Sequence, residues 1–544
     1  MAGSRTPVFA LLRRAIATSM AAGRSGLPLD EFIDATVERR NGRRQFLRQA
    51  GAGLGGLALA ACGALPKQTV PIANDREVVI VGAGVAGLTA AWRLRQAGVR
   101  VRVYEANTRV GGRVYSLRGH FPEGQVVELG GELIDTSHVR IQALCREFGL
   151  ELDDLLADGE GLVPETWYFG GQVRGEHELV EALAPLAEAL QRDQARLPDD
   201  DVTWRAPHGL HDLDRMTMAQ WLDNAGVDGW LRRLVDVAYT TEMGAEPELQ
   251  SALNLIDFIS VDTHFSIFGE SDERFHVRGG NDLIVSALAQ ELDDVIETAT
   301  VLEAVAESRS GGYTLSFRRD GGSHEVQADI VVLALPFTTL RRVRMEVALP
   351  AEKRRAIDEL GYGHNAKLMI GFNRRVWRDH GSTGSLFTDL RCQSTWDTSR
   401  AQPGQSGILT NFTGGQHARE IGSGPPKIQA DLAVLDLEHI YPGVAAAREG
   451  AREVRFHWPS QPWVMGSYAC YAPGQWTTLR GAAGERVGGL LFAGEHCALA
   501  NQGFIEGACE TGERAASEAL SLLGVATATR TAVLTRRPAC ATAA

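Results

Sequence analysis

The chain has 544 residues, 44% apolar and 23% charged, which is room for two or more domains with substantial cores. Its formal net charge of −13 excludes a nucleic-acid footprint, and no apolar run reaches the ~18 residues of a membrane span. The seven cysteines form no C-x-x-C pair and no His/Cys cluster, which excludes a zinc centre and argues against a disulfide framework in a chain with so large a core.

Residues 1–62 do not read as part of the fold. They carry nine arginines against four acids (Asp30, Glu31, Asp34 and Glu38), a net of +5. Arg43-Arg44-Gln45-Phe46-Leu47-Arg48 leads into a Gly/Ala/Leu run from Ala50 to Ala61, too short to span a bilayer. Twin arginine, Phe-Leu and a mild apolar stretch resemble a bacterial Tat signal, which is read by a translocon that carries folded proteins. Leu59-Ala60-Ala61-Cys62 resembles a lipobox, which implies a lipid anchor at Cys62 and a periplasmic or membrane-anchored protein. The alternative is an uncleaved basic arm on a cytoplasmic protein. Residues 63–76 read as a linker.

Val78-Val79-Ile80-Val81 is an all-apolar, β-branched run that reads as a buried strand. Gly82, Gly84 and Gly87 follow in G-x-G-x-x-G spacing, Leu88 to Gln96 has helical periodicity, and Gly98 supplies a stop. Val99 to Tyr104 reads as a second strand and ends on Glu105, 21 residues beyond Gly84. Strand, glycines, helix, strand and acid at these offsets make a dinucleotide-binding βαβ unit. Gly82 permits the tight turn, Gly84 lets backbone N–H groups approach a pyrophosphate, and Gly87 lets the helix pack on the strand. The helix N-terminus offers unpaired N–H donors to phosphate, and Glu105 can accept from ribose hydroxyls.

Arg109-Val110-Gly111-Gly112-Arg113 adds a second backbone approach to phosphate between two guanidinium groups. This R-x-G-G-R placement resembles the flavin-containing amine oxidase family, in which it contacts the FAD pyrophosphate. The resemblance implies an α/β fold: a Rossmann-like FAD-binding domain of the p-hydroxybenzoate hydroxylase/amine oxidase type, with a mixed α+β substrate domain. Val126 to Asp135, a strand running into Gly130-Gly131-Glu132, resembles the family's second flavin contact, where backbone lies against the isoalloxazine.

Helical patterns follow over Ser137 to Gly149, Leu179 to Arg192, Met218 to Ala225, Trp230 to Tyr239 and Glu248 to Ile259. Phe275 to Gly280 returns to a β pattern, and Glu297 to Val305, Tyr313 to Arg318 and His324 to Gln327 read as a small sheet. Ile330 to Leu335 reads as a buried strand ended by Pro336; by resemblance it lies in the FAD domain together with Val301. Ala351 to Leu360 reads as a helix, and Ala366 to Phe372 alternates as a strand carrying Lys367. Leu490 to Glu495 is a strand into a tight turn, and Gly503-Phe504-Ile505-Glu506-Gly507-Ala508 opens a last helix. The resemblance, which extends from Val78 to Leu523, divides the chain into FAD-binding segments 77–140, 273–345 and 461–524 and substrate segments 141–272 and 346–460, with 525–544 a disordered tail.

Glu495 matches the family residue that accepts a ribityl or ribose hydroxyl. The helix entered through Gly503, Phe504 and Ile505 would aim its N-terminus at the flavin's N1–C2=O edge. A lysine on an alternating strand is usually solvated, but Ala366-Lys367-Leu368-Met369-Ile370 followed by Trp377 resembles the family segment whose lysine holds a water at flavin N5. Tyr468 and Phe504 take the family's two aromatic positions, bounding a slot for an amine, the alternative being two core aromatics. Ser467 stands where some members attach FAD through a cysteine, which implies non-covalent FAD; Cys470 is the nearby rival. Leu133 stands where some L-amino-acid oxidases carry a carboxylate-binding arginine, and Glu132 and Asp135 beside it could attract a second substrate cation.

The function so implied is FAD-dependent oxidation of an amine to an imine, then an aldehyde or ketone plus ammonia, with oxygen reduced to hydrogen peroxide. An L-amino-acid oxidase giving a 2-oxo acid, a desaturase-like flavoprotein and a non-catalytic flavin-binding protein stay open at this level.

Overall fold

The computed structural model describes residues 76–258 and 272–525, together with Ile16 and Ser19. The expected export signal, the Cys62 lipobox, the linker before Arg76 and the tail beyond Val525 lie outside the described residues.

β1 (Glu77–Val81), α1 (Val85–Gln96) and β2 (Arg100–Tyr104) form the expected βαβ unit, with β1 and β2 parallel. β3 (Ile296–Glu297), β4 (Ile330–Leu333) and β5 (Leu490–Phe492) complete a parallel five-stranded sheet in the order β5-β4-β1-β2-β3. A parallel sheet is covered on both faces, and alternate residues part accordingly. Val78, Ile80, Val332 and Leu491 pack towards α1 and α2 (Ile505–Leu523). Val79, Val81, Val331 and Leu490 pack towards a four-stranded sheet that contributes Val305, Leu315 and Phe317. α1 and α2 meet closely at Gly512, where a Cβ would come within 2.4 Å of the Ala86 carbonyl oxygen.

A seven-stranded sheet lies beside this layer, in the order Arg448–His457, Asn365–Phe372, Gly407–Gly414, Ser394–Asp397, Leu386–Thr388, Thr166–Phe169 and Gln172–Val173. Helices that include Ala184–Gln194, Met218–Asn224 and Gly229–Met243 accompany it. The architecture is thus α/β, a Rossmann-like layer with a mixed α+β unit.

Two sequence expectations fail locally. All eight residues of Asn365–Phe372 are buried, so the strand has no solvated face. Ala366, Leu368 and Ile370 pack under the helices Gly415–Ile421 and Pro426–Glu438, and Met369 packs against Val127 and Leu129. The helix expected over Glu248 to Ile259 is instead a 3-10 turn, Pro247–Leu249, and a single turn, Leu253–Ile256; Ile259 lies outside the described residues. Tertiary bonds claim this backbone. The Ser251 N–H donates to the Tyr471 carbonyl at 3.1 Å, and the Gln250 side chain donates to the carbonyls of Tyr239 and Ala245.

Candidate active site

A cavity of about 790 Å³ opens where β1, β2, β4 and β5 end, bounded beyond them by the seven-stranded sheet. Ligands of open α/β sheets bind at such carboxyl ends. Gly82 and Gly84 after β1, Glu105 after β2, Ala334 after β4 and Glu495 after β5 all stand in its wall.

The wall fits a dinucleotide at its glycines. Gly82 has φ +105, and a Cβ there would lie 2.5 Å from the Ala334 carbonyl oxygen. Gly84 begins α1 with no side-chain cap and no acid in the first turn, so the helix N–H groups keep donors for an anion. A Cβ on Gly84 would meet only Gly112, at 3.9 Å, and would project between the two glycine loops. The loops are joined by the Gly111 N–H, which donates to the Ala83 carbonyl at 2.8 Å. Gly130 is boxed in more tightly: a Cβ there would fall 1.9 Å from the Arg113 carbonyl oxygen, and one on Gly131 would meet Ile505 at 2.8 Å.

Charged groups fix these loops. Glu105 accepts from the backbone N–H groups of Ala83 and Asn107, both at 2.8 Å, and burial pushes its carboxyl up. Arg113 donates to the Ser467 carbonyl at 2.8 Å and to Glu495 at 2.7 Å. Glu495 also accepts from the Gly503 N–H at 2.9 Å, which ties β5 to the entry of α2. Arg109 donates to the carbonyls of Val110 and Gly112, with its guanidinium 4.1 Å above the Tyr115 ring.

Lys367 points from its buried strand into the same cavity. Its Nζ donates to the Gly130 carbonyl and to Glu132 at 2.8 Å, and to the Glu128 carbonyl at 3.2 Å. All three ammonium donors are therefore engaged, and the alternative of a solvated strand lysine does not hold. Glu132 accepts from Trp396 and Thr398 on its other oxygen. Burial, the largest influence, opposes its charge, but Lys367 and these donors outweigh it and hold the carboxyl below its ordinary value. Glu132 is thus committed within the protein, which corrects its reading as a receptor for a substrate cation.

Tyr468 and Phe504 both line the cavity. The Tyr468 hydroxyl donates to the Thr241 carbonyl at 3.3 Å, and Phe504 meets the His138 ring edge at 5.1 Å. Arg109, Gly111, Gly112, Gly130, Gly131, Val301, Gly503 and Ile505 stand in the wall as well. Gly87 and Asp135 do not. Gly87 serves helix packing, since a Cβ there would lie 1.9 Å from the Gly82 carbonyl oxygen. Asp135 sits behind the wall, buried, and accepts from the Glu273 N–H at 2.8 Å. Sequence reasoning missed Glu273, Trp396, Phe412 and Trp458, which complete the lining. Only an acid just before a β pattern marked Glu273 in the sequence, and many acids share that setting.

A family model described as flavin containing amine oxidoreductase matches residues 85–520. The chain belongs to that family. It is 26% identical over 467 residues to amine oxidase [flavin-containing] A of Sus scrofa, covering 82% of this chain and 85% of that protein. It is 27% identical over 465 residues to an L-amino acid dehydrogenase of Synechocystis, covering 82% of this chain and 95% of that one. Among solved structures, cyclohexylamine oxidase from Brevibacterium oxydans shares the fold with a TM-score of 0.72 at 24% identity, covering 83% of this chain and all of that one. The family's cofactor is FAD, and the glycine loops, Arg113 and the two acids Glu105 and Glu495 fit it.

Proposed function

We propose that the protein is an FAD-dependent amine oxidase. A neutral amine gives up a hydride equivalent from its α-carbon and leaves as an imine that hydrolyses, while oxygen is reduced to hydrogen peroxide. The observation that carries this reading is one cavity whose wall holds the cofactor motifs together with Lys367, Tyr468 and Phe504.

FAD, when bound, supplies the electron acceptor. The chain supplies binding, orientation and field. The backbone of Gly82 to Gly84 and of Gly111 to Gly112, with Arg109 and Arg113, suits a diphosphate, and Glu105 and Glu495 suit hydroxyls. Tyr468 and Phe504 bound an apolar slot that excludes water from the reacting carbon. Lys367, oriented by Glu132, places a cation where negative charge develops as oxygen is reduced.

An amine suits the cavity better than an amino acid. Among the described residues of the wall the one lysine, Lys367, is paired with Glu132. Its arginines stand in the cofactor motifs (Arg109, Arg113) or around the Val301 and β4 end (Arg318, Arg342, Arg344). Leu133, not an arginine, lines the wall after Gly131. With the FAD-loaded protein, an amine panel should yield hydrogen peroxide in step with oxygen consumed. Neither oxygen uptake nor peroxide with any amine would contradict the assignment.

We further propose that the protein leaves the cytoplasm by twin-arginine export and is lipidated at Cys62. The support is the Arg43-Arg44 pair, the mild apolar run after it and the Leu59-to-Cys62 match. Arg43→Lys with Arg44→Lys should retain the protein in the cytoplasm, and Cys62→Ser should release it from membranes. Unchanged fractionation of the first variant would rule out the export route.

A further inference from the structure

The turn Arg278-Gly279-Gly280 and its neighbours gather behind the cavity wall, and neither the cofactor motifs nor the amine chemistry gives them a task. Gly280 has φ +119, and a Cβ there would lie 2.7 Å from Ser116 Oγ, so glycine lets this turn close on the strand Ser116–Leu117. The closure brings His276, in the strand Phe275–Val277, and Asn281, just before the helix Asp282–Glu291, onto Glu128. Glu128 is 1% exposed. Its carboxylate accepts from the Asn281 N–H at 2.8 Å, from Ser116 Oγ at 2.8 and 2.9 Å, and meets His276 Nε2 at 2.9 Å.

Two sets of contacts carry this cluster to the wall. Asn281 Nδ2 donates to the carbonyls of Gly131 at 3.0 Å and Glu132 at 2.8 Å, and the Glu128 carbonyl accepts from Lys367 Nζ at 3.2 Å. The charges close in two pairs, Lys367 with Glu132 at 2.8 Å and His276 with Glu128 at 2.9 Å. Asp153, opposite His276 in the neighbouring strand, accepts from Arg278 at 2.8 Å, and Asp282 is paired with Arg118 at 2.6 Å. Burial, the largest influence on His276, opposes its charge. The hydrogen bond to Glu128 and the charges of Glu128, Glu132 and Asp153 outweigh burial and hold the imidazole above its ordinary 6.5. Loss of that proton leaves Glu128 an unmatched buried carboxylate and gives the four-group cluster a net negative charge.

We propose that His276 is a positioning residue for the flavin: as a cation it balances Glu128 behind Gly130, Gly131, Glu132 and Lys367, and as a neutral ring it makes the bound flavin harder to reduce. This rests on the FAD site and not on the identity of the substrate. Negative charge develops on the isoalloxazine as it is reduced, and an unmatched carboxylate in the low-dielectric layer behind it opposes that charge. Reduction of the flavin and protonation of His276 therefore favour each other by the same factor.

The test reads the midpoint potential of the FAD-loaded full chain against pH, with a chemical reductant and a reference dye, so that no amine is involved. His276→Gln keeps a donor for Glu128 and removes the cation. At about pH 6 it should shift the equilibrium towards oxidised flavin at least ~10-fold, or ~30 mV for a two-electron couple, and the wild type should converge on it as the pH rises. His276→Gln with Glu128→Gln should recover most of that shift, because the unmatched acid is gone. Equal potentials for the wild type and His276→Gln at every pH would overturn the proposal and leave the pair a structural contact. So would a double variant that stays as low as the single one. Should His276→Gln not fold, Glu128→Gln decides: it should match the wild type at about pH 6 and lie above it at about pH 9. Parallel pH dependence of those two proteins would overturn the proposal. Potentials as expected in a protein that oxidises no amine would support it while removing the amine-oxidase reading.

Discussion

Arg113 Nη1 donates to Glu495 Oε1 across 2.7 Å, joining two flavin motifs that lie 382 residues apart. The same nitrogen holds the Ser467 carbonyl, and the same carboxylate receives the Gly503 N–H. One ion pair therefore sets the relative positions of the R-x-G-G-R loop, the segment leading to Tyr468 and the entry of α2. Glu495 is 4% exposed, so its charge depends on this partner. Arg113→Ala should weaken FAD binding by about 100-fold, or ~2.7 kcal/mol, read by flavin fluorescence on titrating the apoprotein. Unaltered FAD affinity would show that the loops hold their places without the pair.

Lys367 and Glu132 allow chemistry to be separated from stability. Removing the lysine charge should slow reoxidation of the reduced enzyme by oxygen at least ~10-fold, or ~1.4 kcal/mol, while anaerobic reduction by amine changes less. Lys367→Met also strands a buried carboxylate, which costs about 3 kcal/mol of stability. Lys367→Met with Glu132→Gln should recover most of the stability and none of the reoxidation rate. Stopped-flow absorbance of the two half-reactions and denaturant unfolding check this. If the double variant reoxidises normally, the lysine acts only as the counter-ion of Glu132.

The βαβ unit, the glycine loops and the strand into Glu495 were legible in the sequence because each is a local pattern. β-branched runs, glycine spacing and a terminal acid fall within a few turns of chain. Positions set by distant partners were not legible. The pairing of Lys367 with Glu132 spans 235 residues, and no local pattern around Lys367 names that partner. The same holds for Glu273, whose backbone N–H is held by Asp135, 138 residues away. The helix expected from Glu248 failed because Gln250 and Ser251 spend their polar groups on Tyr239, Ala245, Asp214 and Tyr471.

Attachment of FAD is expected to be non-covalent. Ser467 presents a hydroxyl that donates to Asn365 at 2.6 Å. Cys470, the nearest thiol in sequence, is buried and outside the cavity wall. Acid precipitation should leave all the yellow colour in the supernatant. Flavin retained on a peptide containing Cys470 would contradict this.

His496 gives the fold an acid-sensitive point. Burial holds its imidazole down to about 3, against an ordinary 6.5, with Glu495 working the other way. Among the described residues neither ring nitrogen has a hydrogen-bond partner, and the ring centroid lies 4.5 Å from that of Phe337. The unfolded chain takes up this proton once pH falls below 6.5, so stability is lost from there downward. By about pH 5 the loss from this group is ~2 kcal/mol. His496→Leu should narrow the gap between the Tm values at about pH 7 and about pH 5 by ~2 °C or more. An unchanged gap would show that the folded protein admits the proton freely.

The central claim is that this cavity oxidises amines and rejects their carboxylated counterparts. It is tested most directly by the visible spectrum of the bound flavin under anaerobic conditions. Matched pairs serve as substrates: phenethylamine against phenylalanine, and terminal diaminobutane against ornithine. The amine member of at least one pair should bleach the oxidised flavin at least ~100-fold faster than its amino acid, since Lys367 is already paired with Glu132 and Leu133 stands where a carboxylate-binding arginine would. Bleaching by the amino acids at equal or greater rate, or by neither member of any pair, would contradict it.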